Sequence, residues 1–530
     1  MNFASLDTLR PLGMLGARCA LSAARLEGPE YRPDTIFIAD QDAWYGDWEG
    51  RTLLAQCLIS RATGKHPSFM MENLAALDAH MNELGYLGPI LPKGEFSEQQ
   101  LSGHSWLLRG LCEIYELTGD LHALEHIRNI VTNLFLPAKE AYSQYPLEGH
   151  DHVVGGLESG SVAGRSGAWH ISTDTGCAFI PLDGVSHAYN VLRNTAIAEL
   201  LEVMIERYLQ LDFDGLMVQT HATLSGCRGM LRYAMAKGDK ALIGRAERIF
   251  SLYLRKGMTA HYANYNWFGR PLWTEPCAII DSYMVAMQLF SVTGKRIYLD
   301  FARKICLNGI FRGQRNNGGF GTDSCPGPEK GSGVELAMGT YEAYWCCTMR
   351  GGEGLARILQ YGVMTDGNRA LFTHLMGSQG TVELAGGALN YTLTSTFPTE
   401  GKLSLIVHRC PADTLIEMAL PDWVTEVTVN GDPGVIVGGF LQLTPISDCR
   451  FDITFDIPLR QEPVMGDSNG RGMLWCHGDL ILGANGPVND ELRYVGKGCY
   501  ASGDTRLAPI CDAWLMRENQ LAESLLKVIF

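Results

Sequence analysis

The chain has 530 residues, 46% of them apolar, with a net charge of −15 at pH 7 and a pI near 5.4. This length exceeds one ordinary hydrophobic core, so two or three domains are expected. The negative charge argues against nucleic acid or an anionic membrane as the main partner, because both would repel the protein.

Export signals are absent from the sequence. No apolar run approaches the roughly 20 residues that span a bilayer, and residues 9–26 carry three arginines in place of a signal-peptide core. The fifteen cysteines lack regular spacing, which in a reducing compartment indicates free thiols or metal ligands. We therefore expect a cytoplasmic protein.

A short phrase that ends in glycine recurs along the first half of the chain. Gly64, Gly119, Gly238 and Gly294 each follow a predicted helix, and glycine adopts the left-handed conformation that ends helices. Amphipathic segments follow three of these turns, so each phrase marks a helical hairpin. The glycines lie about 55 to 60 residues apart, with one double interval, which predicts about six hairpins in the first 360 residues. Long glycine-rich insertions at 155–184 and 316–340 favour a closed α/α toroid over an open solenoid.

From about Leu371 the pattern changes to short alternating runs typical of strands. We predict an antiparallel β-sandwich with strands at 380–384, 403–408, 414–419, 424–429 and 451–455. In the tail, we predict strands at 472–475 and 480–482 and a helix at 513–528. The expected fold is mainly α with β: an α/α six-hairpin barrel (1–365), a β-sandwich (366–465) and a β/α extension (466–530) that packs on both.

Two segments carry metal-binding residue types at the start of predicted barrel helices. One contains Glu275 and Cys277, and the other contains Cys346 and Cys347. Three thiolates and one carboxylate suit a tetrahedral Zn²⁺ ion. The alternative is that these cysteines are buried as small apolar residues.

The same segments carry a resemblance to a known family over nearly the whole chain. Residues 274–278 read Thr-Glu-Pro-Cys-Ala, residues 306–309 read Cys-Leu-Asn-Gly, and 421–423 read Pro-Asp-Trp. With the paired cysteines, they resemble the β-L-arabinofuranosidases of glycoside hydrolase family 127. The resemblance implies that Glu275, Cys277, Cys346 and Cys347 hold zinc. It further implies that Cys346 is the nucleophile of a retaining mechanism with a thioglycosyl intermediate.

The chain departs from the family at the residue that should protonate the leaving group. The family has a glutamate shortly before the Glu-x-Cys motif, whereas residues 257–267 of this chain contain no carboxylate. Substitutes from the sequence are His261, Glu342, and Asp47 or Glu49.

Several residues are predicted to bind the sugar. His104, His187 and His221 lie on predicted barrel helices, although each could be a hydrogen-bonded core histidine. Trp48 and Trp345 offer rings for stacking on a sugar, and the neighbouring Glu49 offers a carboxylate for hydroxyl groups.

The leading hypothesis is a zinc-thiolate glycoside hydrolase that acts on a furanoside or an unusual sugar. A zinc-dependent epimerase, isomerase or lyase on the same fold is the alternative, and a saccharide-binding relative without catalysis is another. The expected partner is a small carbohydrate, with no nucleic acid and no membrane. A homodimer is compatible with the sequence, but no motif specifies it.

Overall fold

The computed structural model describes residues 1–37, 44–154, 159–270, 272–325, 335–465, 472–489, 491–512 and 526–530. The α-helices Leu121–Ile130 and Ile297–Lys304 continue in π-helical turns at Val131–Phe135 and Ile305–Ile310. The described residues form the α-helices α1 (Gly13–Arg25), α2 (Pro33–Ile36), α3 (Asp47–Thr63), α4 (Met70–Ala76), α5 (Glu98–Thr118), α6 (Leu121–Ile130), α7 (Lys139–Ser143), α8 (Pro181–Leu192), α9 (Thr195–Tyr208), α10 (Thr220–Lys237), α11 (Lys240–Lys256), α12 (Pro276–Thr293), α13 (Ile297–Lys304), α14 (Phe311–Gly313) and α15 (Cys347–Tyr361).

Six of these helices form a closed inner ring. In chain order α3, α5, α8, α10, α12 and α15 each pack on the next, and α15 packs on α3. Helices α1, α6, α9, α11 and α13 pack against the outside of the ring. The predicted α/α toroid is confirmed.

The predicted glycine turns end the inner helices. Helices α3, α5, α10 and α12 end at Gly64, Gly119, Gly238 and Gly294 with φ of 71°, 70°, 69° and 68°. The missing copy is Arg193, which ends α8 with φ 51°. Because an outer helix returns the chain after each turn, the inner helices run in the same direction. We call the end that gathers their N-termini the mouth and the opposite end the base.

Among the described helices, α12 alone has the length and composition of a membrane span. In its most apolar window 89% of the residues are buried within the protein. Burial on this scale is the pattern of a core helix, and α12 is part of the inner ring.

The β-rich region contains two facing sheets, as predicted. Phe372 and Tyr391, from opposite sheets, have ring centroids 4.9 Å apart. In spatial order the first sheet contains Asn2–Phe3, Val363–Asp366, Arg369–Phe372, Leu415–Ala419, Phe440–Leu443 and Val435–Val437. The second contains Asp432–Pro433, Thr428–Val429, Cys449–Thr454, Lys402–Arg409, Gly387–Ser395, Ser378–Leu384 and Leu9–Pro11.

The sandwich differs from the prediction in three respects. Arg369–Phe372 pairs in parallel with Leu415–Ala419, although the other pairings in the two sheets are antiparallel. The strand predicted at 424–429 is reduced to Thr428–Val429. Each sheet also gains a strand from the first eleven residues, and such two- or three-residue strands are too short to show a period.

The third sheet has six strands. In spatial order they are Leu459–Pro463, Met473–His477, Leu480–Gly483, Thr505–Pro509, Cys499–Ser502 and Arg493–Gly496. Two of these strands confirm the predictions at 472–475 and 480–482. Buried Asp479 links this sheet to its neighbours, since it accepts hydrogen bonds from Arg303 of α13 (2.5 Å) and from the Trp423 indole (3.1 Å).

The remaining strands form two small three-stranded sheets. One pairs Leu526–Lys527 with Glu335–Thr340, which also pairs with Thr322–Ser324; the other contains Phe96–Ser97, Trp169–Ser172 and Val162–Ser166. The helix predicted at 513–528 is therefore wrong over Leu526–Lys527. A partner strand almost 200 residues away sets the conformation there, and residues 513–525 lie outside the described part of the chain.

Candidate metal and active site

Three cysteine sulfurs converge at the mouth. Cys277 lies in the first turn of α12, and Cys346 and Cys347 lie at the start of α15. The Sγ atom of Cys347 is 3.4 Å from that of Cys346 and 3.9 Å from that of Cys277. Cys346 precedes the helix with non-helical angles (φ −146°, ψ −63°), which lets the two neighbouring side chains turn toward the same point.

Glu275 and His221 extend this cluster. An oxygen of Glu275 lies 3.2 Å from Nδ1 of His221, and its other oxygen, Oε2, is buried with no hydrogen-bond partner among the described residues. The ligand atoms of His221, Glu275 and Cys277 lie within 4.8 Å of one another, and so do the three sulfurs. The two groups share Cys277, so the four residues predicted as metal ligands come together.

Arg51 of α3 places a positive charge beside the sulfurs. Its Nη1 atom is 3.4 Å from Sγ of Cys277, and its Nε donates to Asp47 at 2.8 Å. Hydrogen bonds from the Cys277 and Cys347 thiols lower the pKa of Cys346, and the charge of Arg51 acts in the same direction. Burial raises the pKa of Cys277. Cys346, the most accessible of the three, is therefore the sulfur that most readily becomes a thiolate.

Burial and neighbouring charges also shift the pKa values of Glu275 and His221. Burial raises the pKa of Glu275, against the effect of His221. Burial alone would lower the pKa of His221, but the nearby carboxylates, led by that of Glu275, raise it above its ordinary value. The His221 ring also stacks on Trp106, with centroids 5.6 Å apart.

Asp174 is a buried carboxylate that sequence reasoning missed. It follows the strand Trp169–Ser172 and accepts hydrogen bonds from the Ser159 hydroxyl (2.8 Å) and the Gly160 amide (2.9 Å). Burial, with a contribution from the charge of Glu275, raises its pKa to about 7. It lies in the insertion 155–184, where no periodic pattern indicates which residue folds toward the mouth.

Glu342 and His261, two residues predicted to replace the family's general acid, are held by hydrogen bonds or by burial. Glu342 accepts hydrogen bonds from Arg25 (2.8 Å), Thr348 (2.8 Å) and Asn317 (2.6 Å). His261 is fully buried, and burial lowers its pKa to about 4. Its Nδ1 atom lies 3.0 Å from the Thr259 hydroxyl.

The predicted sugar-binding histidines occupy different parts of the barrel. His221 lies at the mouth. Both ring nitrogens of buried His104 contact the backbone, Nε2 at the Leu87 amide (2.9 Å) and Nδ1 at the Gln100 carbonyl (2.8 Å). His187 lies further along α8, where its Nε2 is 2.9 Å from Glu116 near the C-terminus of α5. It therefore faces the base.

Aromatic side chains surround the mouth. Trp345, immediately before the cysteine pair, is 47% exposed, and the adjacent Tyr344 is 38% exposed. The ring of Trp48 lies 5.8 Å from that of Tyr344. Glu49 follows in the first turn of α3 and is buried. Exposed rings above buried polar groups are suited to a sugar, which has apolar faces and polar edges.

A layer of paired charges lies directly beneath the mouth. Arg109 bonds Asp183 at 2.8 Å and Glu353 at 2.6 Å, and Arg228 bonds Asp281 at 2.9 Å. We call this set the charge layer: Arg109, Asp183, Arg228, Asp281, Arg350 and Glu353. Each of these six side chains is at most 1% exposed.

Comparisons with known proteins agree with this geometry. The sequence profile described as "Beta-L-arabinofuranosidase, GH127 catalytic domain" matches residues 76–360. A solved structure described as a GH127 β-arabinofuranosidase superposes with a TM-score of 0.70 at 13% identity, over 99% of this chain and 97% of that one. A GH127 β-L-arabinofuranosidase from Geobacillus stearothermophilus T6 gives 0.67 at 14% identity, over 96% and 93%. A search of curated protein sequences finds no significant match.

Proposed function

Since the chain belongs to the β-L-arabinofuranosidase family, glycoside hydrolase family 127, and is thereby a glycoside hydrolase, we propose that it hydrolyses an arabinofuranoside-like sugar with Cys346 as the nucleophile. The observation that carries the proposal is the convergence of three sulfurs and Glu275 at the mouth. An arabinofuranoside is a neutral sugar, which the net charge of −15 does not repel.

Cys346 suits the nucleophilic role for two reasons. It is the least buried of the three clustered cysteines, so an anomeric carbon can reach its sulfur. It also lies at the N-terminus of α15, where the helix dipole and the neighbouring thiols favour the thiolate, which is the reactive form.

The donor set fits a zinc ion. Beside the three clustered thiols, Asp47 pairs with Arg51 and Glu275 pairs with His221, so carboxylates already match these two positive charges. Deprotonated thiols would leave an excess of negative charge, and Oε2 of Glu275 has no hydrogen-bond partner. Glu275, Cys277, Cys346 and Cys347 would hold the ion, and S₃O coordination is suited to zinc. When bound, zinc supplies the positive charge that keeps the thiols deprotonated.

Asp174 takes the role of the missing glutamate in this proposal. A general acid works best with a pKa near the operating pH, and the pKa of Asp174 is raised to about 7. The next residue, Thr175, accepts a hydrogen bond from the Gln219 amide (3.0 Å) just before α10, so the loop lies beside the helix that carries His221. Glu342 is less suited to the role because three hydrogen-bond donors already occupy its carboxylate, and His261 because its imidazole is neutral, and a weak acid, near pH 7.

The reaction proceeds in two balanced steps. The Cys346 thiolate attacks the anomeric carbon; a C–S bond forms, the C–O bond to the leaving group breaks, and the leaving oxygen takes the proton from Asp174. Water then attacks the same carbon. The C–S bond breaks with its electron pair returning to sulfur, and the Asp174 carboxylate accepts the proton of the water.

Substrate binding follows from the surface around the cysteines. Exposed Trp345 provides a ring on which an apolar sugar face can stack, and the ring of Trp48 lies 5.8 Å from that of the adjacent Tyr344. Glu49 and His221 supply polar groups for hydroxyls. The cysteines of the described residues form no disulfide bond, which supports the proposed location in the reducing cytoplasm.

The test is hydrolysis of 4-nitrophenyl β-L-arabinofuranoside by the full chain. We expect Cys346→Ser to lower turnover at least about 10⁴-fold, because removal of a nucleophile disables both steps. Cys410→Ser, which changes a partly exposed thiol of the sandwich, serves as the control and should retain full activity. Metal analysis should find one zinc fewer per chain in a Cys277→Ser variant than in wild-type protein.

Product analysis separates hydrolysis from the alternatives. In H₂¹⁸O the released sugar should carry one ¹⁸O at the anomeric carbon, whereas an epimerase or lyase would incorporate none there. Full activity in Cys346→Ser would rule out Cys346 as the nucleophile.

A further inference from the structure

A second group of metal-binding side chains lies outside the barrel mouth. His122 and His126 are four residues apart on α6, so their side chains share one face of the helix. Asp78 approaches them from the turn Leu77–Ala79, which follows α4. We call these three residues the outer histidine cluster.

The three side chains are close enough to share one ion. An oxygen of Asp78 lies 3.0 Å from Nε2 of His122, and its other oxygen lies 3.3 Å from Nε2 of His126. All three ligand atoms lie within 4.8 Å of one another. A tetrahedral ion with metal–nitrogen bonds of about 2.0–2.1 Å separates its ligands by roughly 3.3 Å, so these spacings are already near those of a bound site.

The buried environment of His126 supports metal binding independently of these distances. It is 4% exposed, and among the described residues neither of its ring nitrogens forms a hydrogen bond, although Nε2 lies 3.3 Å from the Asp78 carboxylate. A buried imidazole without such a partner carries a desolvation cost, and coordination through Nε2 would remove part of that cost. The ring of His122 lies 4.3 Å from that of His126, and its side chain is 37% exposed. A metal ion and a water ligand can therefore reach the cluster from solvent.

We propose that the outer histidine cluster binds a divalent transition-metal ion, with two imidazoles and one carboxylate as protein ligands and water completing the coordination. Imidazole and carboxylate ligands suit Zn²⁺, Co²⁺ and Ni²⁺. The ion links α6, in one hairpin of the toroid, to the turn after α4, in the preceding one. Because the unfolded chain does not preform the site, binding stabilises the folded state.

Cobalt titration of the full metal-depleted chain tests this site separately from the cysteines. Co²⁺ bound to thiolates gives intense sulfur-to-metal charge-transfer absorption, whereas Co²⁺ on nitrogen and oxygen gives only weak visible bands. We expect wild-type protein to show both signals. His122→Ala should lose the weak bands and one equivalent of metal and retain the charge-transfer band. Cys277→Ser should show the reverse, so the two proposals can fail independently.

Two further variants complete the design. Asp78→Asn changes a side chain that is 65% exposed and should weaken binding at the same site without unfolding the protein. His150→Ala alters a histidine with a side chain that is 81% exposed and serves as the control with wild-type stoichiometry. Added Ni²⁺ should raise the Tm of wild-type and His150→Ala protein more than that of His122→Ala. If wild-type and His122→Ala bind the same number of equivalents, the proposed site is wrong.

Discussion

On α12 and α15 the mouth and the charge layer are one helical turn apart, yet the two regions differ in how their charges are paired. In the charge layer three arginines face three carboxylates, and each member forms an ion pair. At the mouth the thiols and Glu275 outnumber the neighbouring cations, and Oε2 of Glu275 has no partner. Cys277 and Asp281, four residues apart on α12, belong one to each region.

The difference indicates that the charge layer stabilises the fold, whereas the mouth serves activity. Buried charges that form ion pairs hold helices in a specific arrangement, and removal of one partner leaves the others uncompensated. A buried group without partners is destabilising unless a ligand completes it. The mouth is therefore the region where we expect substitutions to alter activity and metal binding, and the charge layer is where we expect them to alter folding.

The largest expected effect on stability comes from Asp183→Ala in the charge layer. Asp183 pairs with Arg109, Arg228 and Arg232, so its removal leaves buried arginines unpaired and should lower the free energy of unfolding by about 3–5 kcal/mol. Urea denaturation measures the change. Asp422→Ala, at a side chain that is 63% exposed, is the control and should stay within about 0.5 kcal/mol. Equal midpoints for the two variants would show that the layer tolerates unbalanced charge.

A smaller effect is expected from pH, and it should arise at the mouth. The pKa of Asp174 is raised from 3.8 to about 7, so between these values the folded protein keeps a proton that the unfolded chain releases. Stability should therefore fall as pH rises through this window, by up to about 1.4 kcal/mol per pH unit. In the charge layer Asp183 and Asp281 have lowered pKa values, so their contribution is constant above pH 3.8.

Urea denaturation of metal-free protein at pH 5, 6 and 7 measures this slope. Asp174→Asn removes the titrating group and should have a flatter profile than wild-type protein. Asp422→Asn supplies the matched control, because its exposed carboxylate lies far from the mouth. Parallel profiles for wild-type and Asp174→Asn would contradict the raised pKa.

The smallest expected effect tests a glycine turn at the base, where the backbone conformation of one residue decides the outcome. Gly294 ends α12 with φ 68° and has open space around it, so Gly294→Ala should cost about 1 kcal/mol through backbone strain alone. Gly244→Ala, within α11 and equally unobstructed, should instead stabilise by about 0.5–1 kcal/mol. Thermal unfolding measures both changes. The same sign for the two variants would contradict the left-handed requirement at Gly294.

The glycine turns and the sandwich strands could be predicted because their causes are local. Gly119 ends its helix through its own backbone conformation, and the strand Lys402–Arg409 alternates because one face is buried. The short strand Leu9–Pro11 could not be predicted, since a partner strand about 370 residues away creates it. The four-residue spacing of His122 and His126 can be read from the sequence, but nothing in the sequence indicates that Asp78 joins them.

By itself the sequence determined the hairpin period, the change from helices to strands, and the residue types at Glu275, Cys277, Cys346 and Cys347. Only the tertiary structure decided that these residues meet and that Asp174 lies near them, because packing of the consecutive inner helices α12 and α15 joins segments that are 70 residues apart in the chain. It also decided which histidines face the mouth. Helical periodicity assigns a side chain to a face, but the depth of His187 in the ring depends on how neighbouring helices align.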